Sequence, residues 1–143
     1  MGTNVYAAKR ALFDLLKPAL APLQVSYAAP ANFDLESVYG GGVRFEHADV
    51  VSESPGVMVR EQASVSLYIR VVQRPIGPVE DGDDRCAEIL AVVTSVLKAR
   101  PALGPYQWLG IGAGLGDYST TDDEAISILS AQVVLGSMFG YGG

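Results

Sequence analysis

The stretch Val57–Gln73, VMVREQASVSLYIRVVQ, decides the fold. Its odd positions are Val57, Val59, Glu61, Ala63, Val65, Leu67, Ile69 and Val71, all apolar apart from Glu61. Its even positions from Arg60 are Arg60, Gln62, Ser64, Ser66, Tyr68 and Arg70. A period of two sends these sets to opposite faces of a β-strand, one toward a core and one toward water or a partner. Antiparallel sheets with one wet face leave this pattern, whereas buried parallel strands read as unbroken apolar runs. At ~3.3 Å per residue the stretch spans roughly 55 Å if straight. A compact domain of this length is only about 37 Å across. The strand is therefore expected to bend, bulge or project as part of a hairpin arm.

Upstream, Val43, Phe45 and His47 alternate with Arg44 and Glu46, which predicts a strand reaching Val51. Ser52-Glu53-Ser54-Pro55-Gly56 between the two strands is turn chemistry, since Pro fixes φ and Gly permits φ > 0. The pair reads as a hairpin whose second strand outruns the first. Before it, residues 28–42, with Pro30 and Gly40-Gly41-Gly42, read as an irregular loop, and Leu23, Val25 and Tyr27 as a short strand. Val5, Ala8, Leu12, Leu15 and Leu16 form one helical stripe, capped by Thr3 or Asn4 and ended near Leu16 by Pro18. Downstream, the acidic run before Arg85 favours a helix start, and the helix is expected from Arg85 to Ala99. A strand over Tyr106–Ile111 carrying Trp108, a glycine-rich bend or bulge at 110–116 and a polar loop at 117–124 follow. Residues 125–139 read as a strand apolar on both faces, hence central in the sheet or covered on one face after assembly, and the Gly140–Gly143 tail as mobile. The expected fold is α+β in the order α-β-β-β-α-β-β. It is a largely antiparallel sheet carrying two packed helices and a long projecting or bent hairpin, in one domain over residues 1–143.

Composition narrows the function. The chain has 143 residues, 49% hydrophobic, with a formal charge of −6, a sequence pI near 4.6 and a mean hydropathy of +0.24. Those values exclude disorder and disfavour attraction to free nucleic acid or anionic membranes. No apolar run is long enough for a membrane helix, and Lys9, Arg10, Asp14 and Lys17 interrupt any signal-peptide core. One cysteine, Cys86, excludes an internal disulfide framework. The expectation is a soluble protein synthesised in a cytoplasm, with no membrane partner.

Residue patterns for chemistry are missing. Glycines at 110, 112, 114 and 116 do not make the G-x-G-x-x-G spacing, and no helix follows them. Asp117, Asp122, Asp123 and Glu124 lack the spacing of a calcium loop and read as a solvated acidic loop. His47 is the only histidine and reads as a hydrogen-bonded strand residue; Cys86 reads as a packed thiol on a helix. Glu61, alone on an apolar face, is expected to pair with Arg44 or Arg60. No catalytic residue, cofactor or metal is expected.

What remains points to contacts between chains. Arg60, Tyr68 and Arg70 project from one face of the long strand, and Arg and Tyr are enriched at interfaces. Glu53 and Pro55 mark the hairpin tip. Tyr6 and Phe13 share a shoulder of the first helix, either half-buried in the chain or against a neighbouring subunit. The second helix carries an apolar arc so wide that either both its flanks are buried inside the domain or Ile89, Val92 and Val96 meet another subunit.

The layout resembles the tail terminator proteins of long-tailed bacteriophages, also called minor tail or tail-completion proteins. The resemblance lies in the N-terminal helix VYAAKRALFDLL, the short strand LQVSYAAP, VYGGGVRFE and the alternating REQASVSLYIRVVQ. It continues through the acid-led helix EDGDDRCAEILAVVTSVL and a long C-terminal strand. It covers nearly the whole chain as order and pattern, with no catalytic signature to match. The resemblance implies a homohexameric ring in the virion, at the head–tail junction. Such a ring caps the major tail tube protein, ends tube growth and presents a surface to the head–tail connector. DNA would pass through it without specific binding, repelled by an acidic wall. Two other readings stay open: a different neck component, such as a connector or head-completion protein, and a small α+β enzyme or ligand-binding domain using residues 110–124.

Overall fold

The long strand forms over the expected residues and lies in the middle of the sheet. This computed structural model describes residues 4–51 and 57–141, with side chains described at 4–45 and 61–137. The elements are α1 (Val5–Leu20), β1 (Gln24–Ser26), β2 (Glu36–Val51), β3 (Val57–Gln73), α2 (Val79–Ala99), β4 (Ala102–Leu103), β5 (Tyr106–Thr120) and β6 (Ala125–Tyr141). One six-stranded sheet runs β1-β2-β3-β6-β5-β4. Only β1–β2 is parallel; every other neighbouring pair is antiparallel.

Alternation in β3 sorts the molecule into a covered face and an open face. Ala63, Val65, Leu67, Ile69 and Val71 are buried, and they form one core with Leu12, Phe13 and Leu16 of α1 and Ile89, Val93 and Leu97 of α2. β6 supplies Leu135, Val133, Ala131 and Leu129 opposite Ala63, Val65, Leu67 and Ile69, so the two central strands present one continuous apolar floor. α2 lies on that floor, and α1 packs against α2, β1, β2 and β4. Glu61 belongs to the same buried row, and its carboxylate accepts a hydrogen bond from the Tyr106 hydroxyl at 2.7 Å. A phenol from β5 thus donates to this carboxylate, and burial followed by that bond drives the Tyr106 pKa upward.

Several boundaries move outward from the sequence expectation, each for a packing reason. α1 continues through Pro18 to Leu20. Proline removes a backbone donor, but Pro18 is exposed and Leu20 is buried in the core, so packing of the last turn wins. α2 begins at Val79, with Glu80 and Asp81 in its first turn; the acidic run lies inside the helix it was expected to precede. β2 begins at Glu36, so the glycine triplet lies within a strand that bulges between Gly40 and Val43. β2 and β3 are consequently almost equal in length, 16 and 17 residues, and the second strand does not outrun the first. β5 runs unbroken by any loop to Thr120, bulging between Trp108 and Gly110 and between Ile111 and Gly114. β6 extends to Tyr141, where Gly140 and Tyr141 pair with Met58 and Val57 rather than forming a tail.

The hairpin is part of a three-stranded arm: β2, β3 and β6 stay paired as far as Val51, Val57 and Tyr141. A bulge in the neighbouring β2 bends the long pair.

Cys86 lies in the core, 2% exposed, with its thiol 3.7 Å from the Ser127 carbonyl oxygen and 3.9 Å from that of Ile69. Burial, and then the charges of Asp83 and Glu36, push its pKa from 9.0 up to about 11. A raised thiol pKa in the folded chain contributes stability that is complete below pH 9.0 and is lost as pH rises through about 11. The urea midpoint is therefore expected to fall more steeply across that window in the native chain than in Cys86→Ala. Parallel pH profiles would show that the thiol ionises freely in the fold.

Candidate assembly surface

Two borders of the sheet are bare over much of their length. On one side β4 covers only Tyr106 and Gln107 of β5, after which the Trp108 amide donates to the Pro101 carbonyl at 2.7 Å. Beyond that, among the described residues, no strand lies beside residues 109–120. On the other side β1 covers Ser37, Val38 and Tyr39 of β2 and leaves residues 43–51 without a neighbour among the described residues. Each border presents unpaired backbone donors and acceptors, the template for strand addition. Large apolar side chains accompany them: Leu109, Leu115 and Tyr118 on β5 are 63, 68 and 61% exposed, and Phe45 on β2 is 55% exposed.

The open face of the sheet is concave. Gly42, Val43 and Arg44 of β2 and Ala113, Gly114 and Leu115 of β5 line opposite walls of one trough of about 520 Å³. Ser64, Ser66, Ser130 and Gln132 form its floor. Walls three strand spacings apart, roughly 14 Å in a flat sheet, share a cavity only because the sheet curls. The bulges at 40–43 of β2 and 108–114 of β5 sit in those walls and supply the bend. Across the floor, Ser66 and Gln132 exchange hydrogen bonds of 3.0 and 3.2 Å. Beside them, the Ser130 hydroxyl donates to the Leu115 carbonyl at 3.3 Å.

Toward the β1 side the open face becomes aromatic. Tyr39 and Tyr68, opposite each other in the β2–β3 register, stack at 5.2 Å and 16°. Phe33 meets Tyr39 edge-on at 5.3 Å, and the Arg70 guanidinium lies 4.3 Å over the Phe33 ring. Such aromatic and cation–π pairs contribute about 0.5–1.5 kcal/mol each. Tyr68 and Arg70 therefore hold a half-buried patch. Desolvation there raises the Tyr39 pKa, partly opposed by the Arg70 charge.

The other candidate contact residues divide. Phe13 and Ile89 are 2% and 1% exposed and lie inside this chain's own core. Phe13 packs edge-on against Tyr27 at 6.3 Å. Tyr6 and Val92 are 55% and 41% exposed, and Val96 is half-buried against the core. The wide arc of α2 thus closes mostly within the chain. Glu53 and Pro55 lie outside the described residues; Arg60 pairs through its backbone with Ala48 and Met138, and its side chain lies outside the described ones. Sequence reasoning found the start of β5 and the bulges in its glycine run but not its continuation to Thr120, because the four glycines at 110–116 hide a strand whose pairing partner, β6, supplies the order.

That strand takes up most of the stretch on which the ligand-binding reading was placed. Of residues 110–124, Gly112 and Ala113 lie in a bulge and residues 121–124 form a turn; the rest pair with β6. The Thr121 amide donates to the Glu124 carbonyl at 2.9 Å, and the Thr121 hydroxyl accepts from the amides of Asp123 and Glu124. Glu124 binds Arg74 in an exposed ion pair. Among the described residues, no group of three His, Cys, Asp or Glu side chains is arranged to hold a metal ion. No helix among them is long and apolar enough to cross a membrane.

No protein-family model and no curated protein matches this chain. Among solved structures, it is similar to a chain in the virion of a native gene transfer agent (GTA) particle. The likeness covers 93% of this chain and 97% of that one, at a TM-score of 0.51 and 14% identity. At that identity the two share a fold.

Proposed function

We propose that this protein is a structural component of a phage-type virion, a tail terminator that closes into a ring on the end of the tail tube and joins it to the head connector. The observation that carries the reading is the likeness over nearly the full length of both chains to a chain of a virion particle. The two bare sheet borders support it, since a head-to-tail contact between different surfaces closes into a ring when its rotation permits. The formal charge of −6 suits a passage for DNA, because phosphate is repelled and slides rather than binds. Purified chains are expected to be monomeric at low concentration and to become rings on a tube end. Exposed Tyr6 and Val92, with the aromatic patch around Tyr68 and Arg70, are the described side chains proposed to touch neighbouring subunits.

The test is deletion of the gene in the virus or particle-producing cell that encodes it, read by negative-stain microscopy. The expected result is overlong, unjoined tails beside filled heads, restored by the native chain in trans. Unjoined tails of normal length would instead assign the protein to another part of the neck. Intact particles with joined tails of normal length would sink both.

A further inference from the structure

We propose that residues 109–120 of β5 are a strand-addition site whose occupant is the bare border of β2, residues 43–51, from a second copy of this chain. The proposal rests on the ring-forming reading and assigns its contact.

Protected edge strands are short, carry lysine or proline, bulge, or lie under another element. Both borders are long and each strand carries a β-bulge, but the lysine and proline are missing. Residues 109–120, LGIGAGLGDYST, contain no Lys, Arg or Pro, and residues 43–51, VRFEHADVV, contain no Lys or Pro. Added Cβ atoms at Gly110 and Gly116 would meet nothing within 4 Å, so the faces of β5 are open there. Leu115 and Phe45 are two of the most exposed large apolar residues, one on each border.

Direction and position select the second copy as occupant. β2 and β5 are separated by three antiparallel steps, through β3 and β6, so they run in opposite directions within one sheet. A copy rotated into place beside β5 then presents its β2 antiparallel to it, which continues the alternation of the sheet. The bare lengths are also displaced along the strands. Val43 and Val51 align with Val65 and Val57 of β3, toward the arm, whereas Ile111 and Thr120 align through β6 with Val65 and Gln73, toward the other end. Full pairing therefore needs each copy to slide along its neighbour. A fixed stagger of this kind is what closure of a sheet into a barrel requires, with the strands tilted to the axis. A flat dimer would not use it.

The experiment uses chains in the Cys86→Ala background, one with Leu115→Cys and one with Arg44→Cys, both on the open face opposite Ser130 and Ser64. They are treated with a flexible bis-maleimide as concentrated purified chains and in particle-producing cells, where tubes are present. The expected result is a cross-linked product that needs both variants together. Equal cross-linking of Leu115→Cys alone would show β5 against β5 and overturn the proposal, as would no cross-link in either setting. Leu115→Lys, with circular dichroism unchanged, is expected to abolish assembly, and full assembly by that folded variant would also overturn it. Cross-linking with normal tails in the deletion strain leaves strand addition standing and removes the terminator reading. Overlong tails without cross-linking does the reverse.

Discussion

Replacement of Gly40 by alanine is expected to destabilise the chain by about 3 kcal/mol or more, whereas the same change two residues on, at Gly42, is expected to shift stability by less than about 0.5 kcal/mol. A Cβ at Gly40 would lie 2.3 Å from the Tyr27 carbonyl oxygen, 2.7 Å from Lys9 Cε and 2.9 Å from Phe13 Cε2. Backbone on one side and a core ring on the other leave no direction in which to yield. A Cβ at Gly42 would meet nothing within 4 Å. The difference arises because α1 docks on the β2 bulge. Buried Lys9 donates from Nζ to the Gly41 carbonyl at 2.8 Å and lies 4.0 Å over the Tyr27 ring. Its pKa is lowered by desolvation. Pushing β2 away from the helix would cost that charge-assisted hydrogen bond, about 1.5–3 kcal/mol, in addition to the overpacking. Urea denaturation of the two variants checks the contrast; equal midpoints would show that Gly40 is not a contact point for α1.

The second large effect concerns the residues whose position in the sequence suggested a contact with another subunit. Phe13→Ala is expected to cost about 3–5 kcal/mol and Ile89→Ala about 2–5 kcal/mol, because each leaves a cavity in a close-packed core. Tyr6→Ala and Val92→Ala remove mainly exposed surface and are expected to cost less than about 0.5 kcal/mol. If assembly uses the helical side, the latter pair should weaken ring formation while thermal unfolding of the free chain stays unchanged. Large losses of monomer stability on truncating Tyr6 or Val92 would place those side chains in the core and remove them from any interface.

The sequence alone determined the parts of this molecule in which one local signal is strong. Alternation in β3 named its buried row residue by residue, and the two faces of β6 were legible as a central strand. The reason is that a two-residue period leaves only one assignment of sides once a core exists on one of them. The cap of α1 was readable to within two residues, and Asn4 is the one whose side chain accepts from the Ala7 amide at 3.0 Å. Only the tertiary structure decided what glycine and proline do here. Gly40 to Gly42 and the run from Gly110 to Gly116 have the composition of loops, yet both are strands. Neighbours on β3 and β6 supply the hydrogen bonds, and close approach of α1 and of the Ser130 carbonyl requires small residues at Gly40 and Gly114. Pro18 stays helical because Leu20 is buried beyond it. The candidate assembly surface belongs to this second class. A bare strand border is defined by the strand that is not beside it, and that depends on the order in space of six strands, which no local pattern carries.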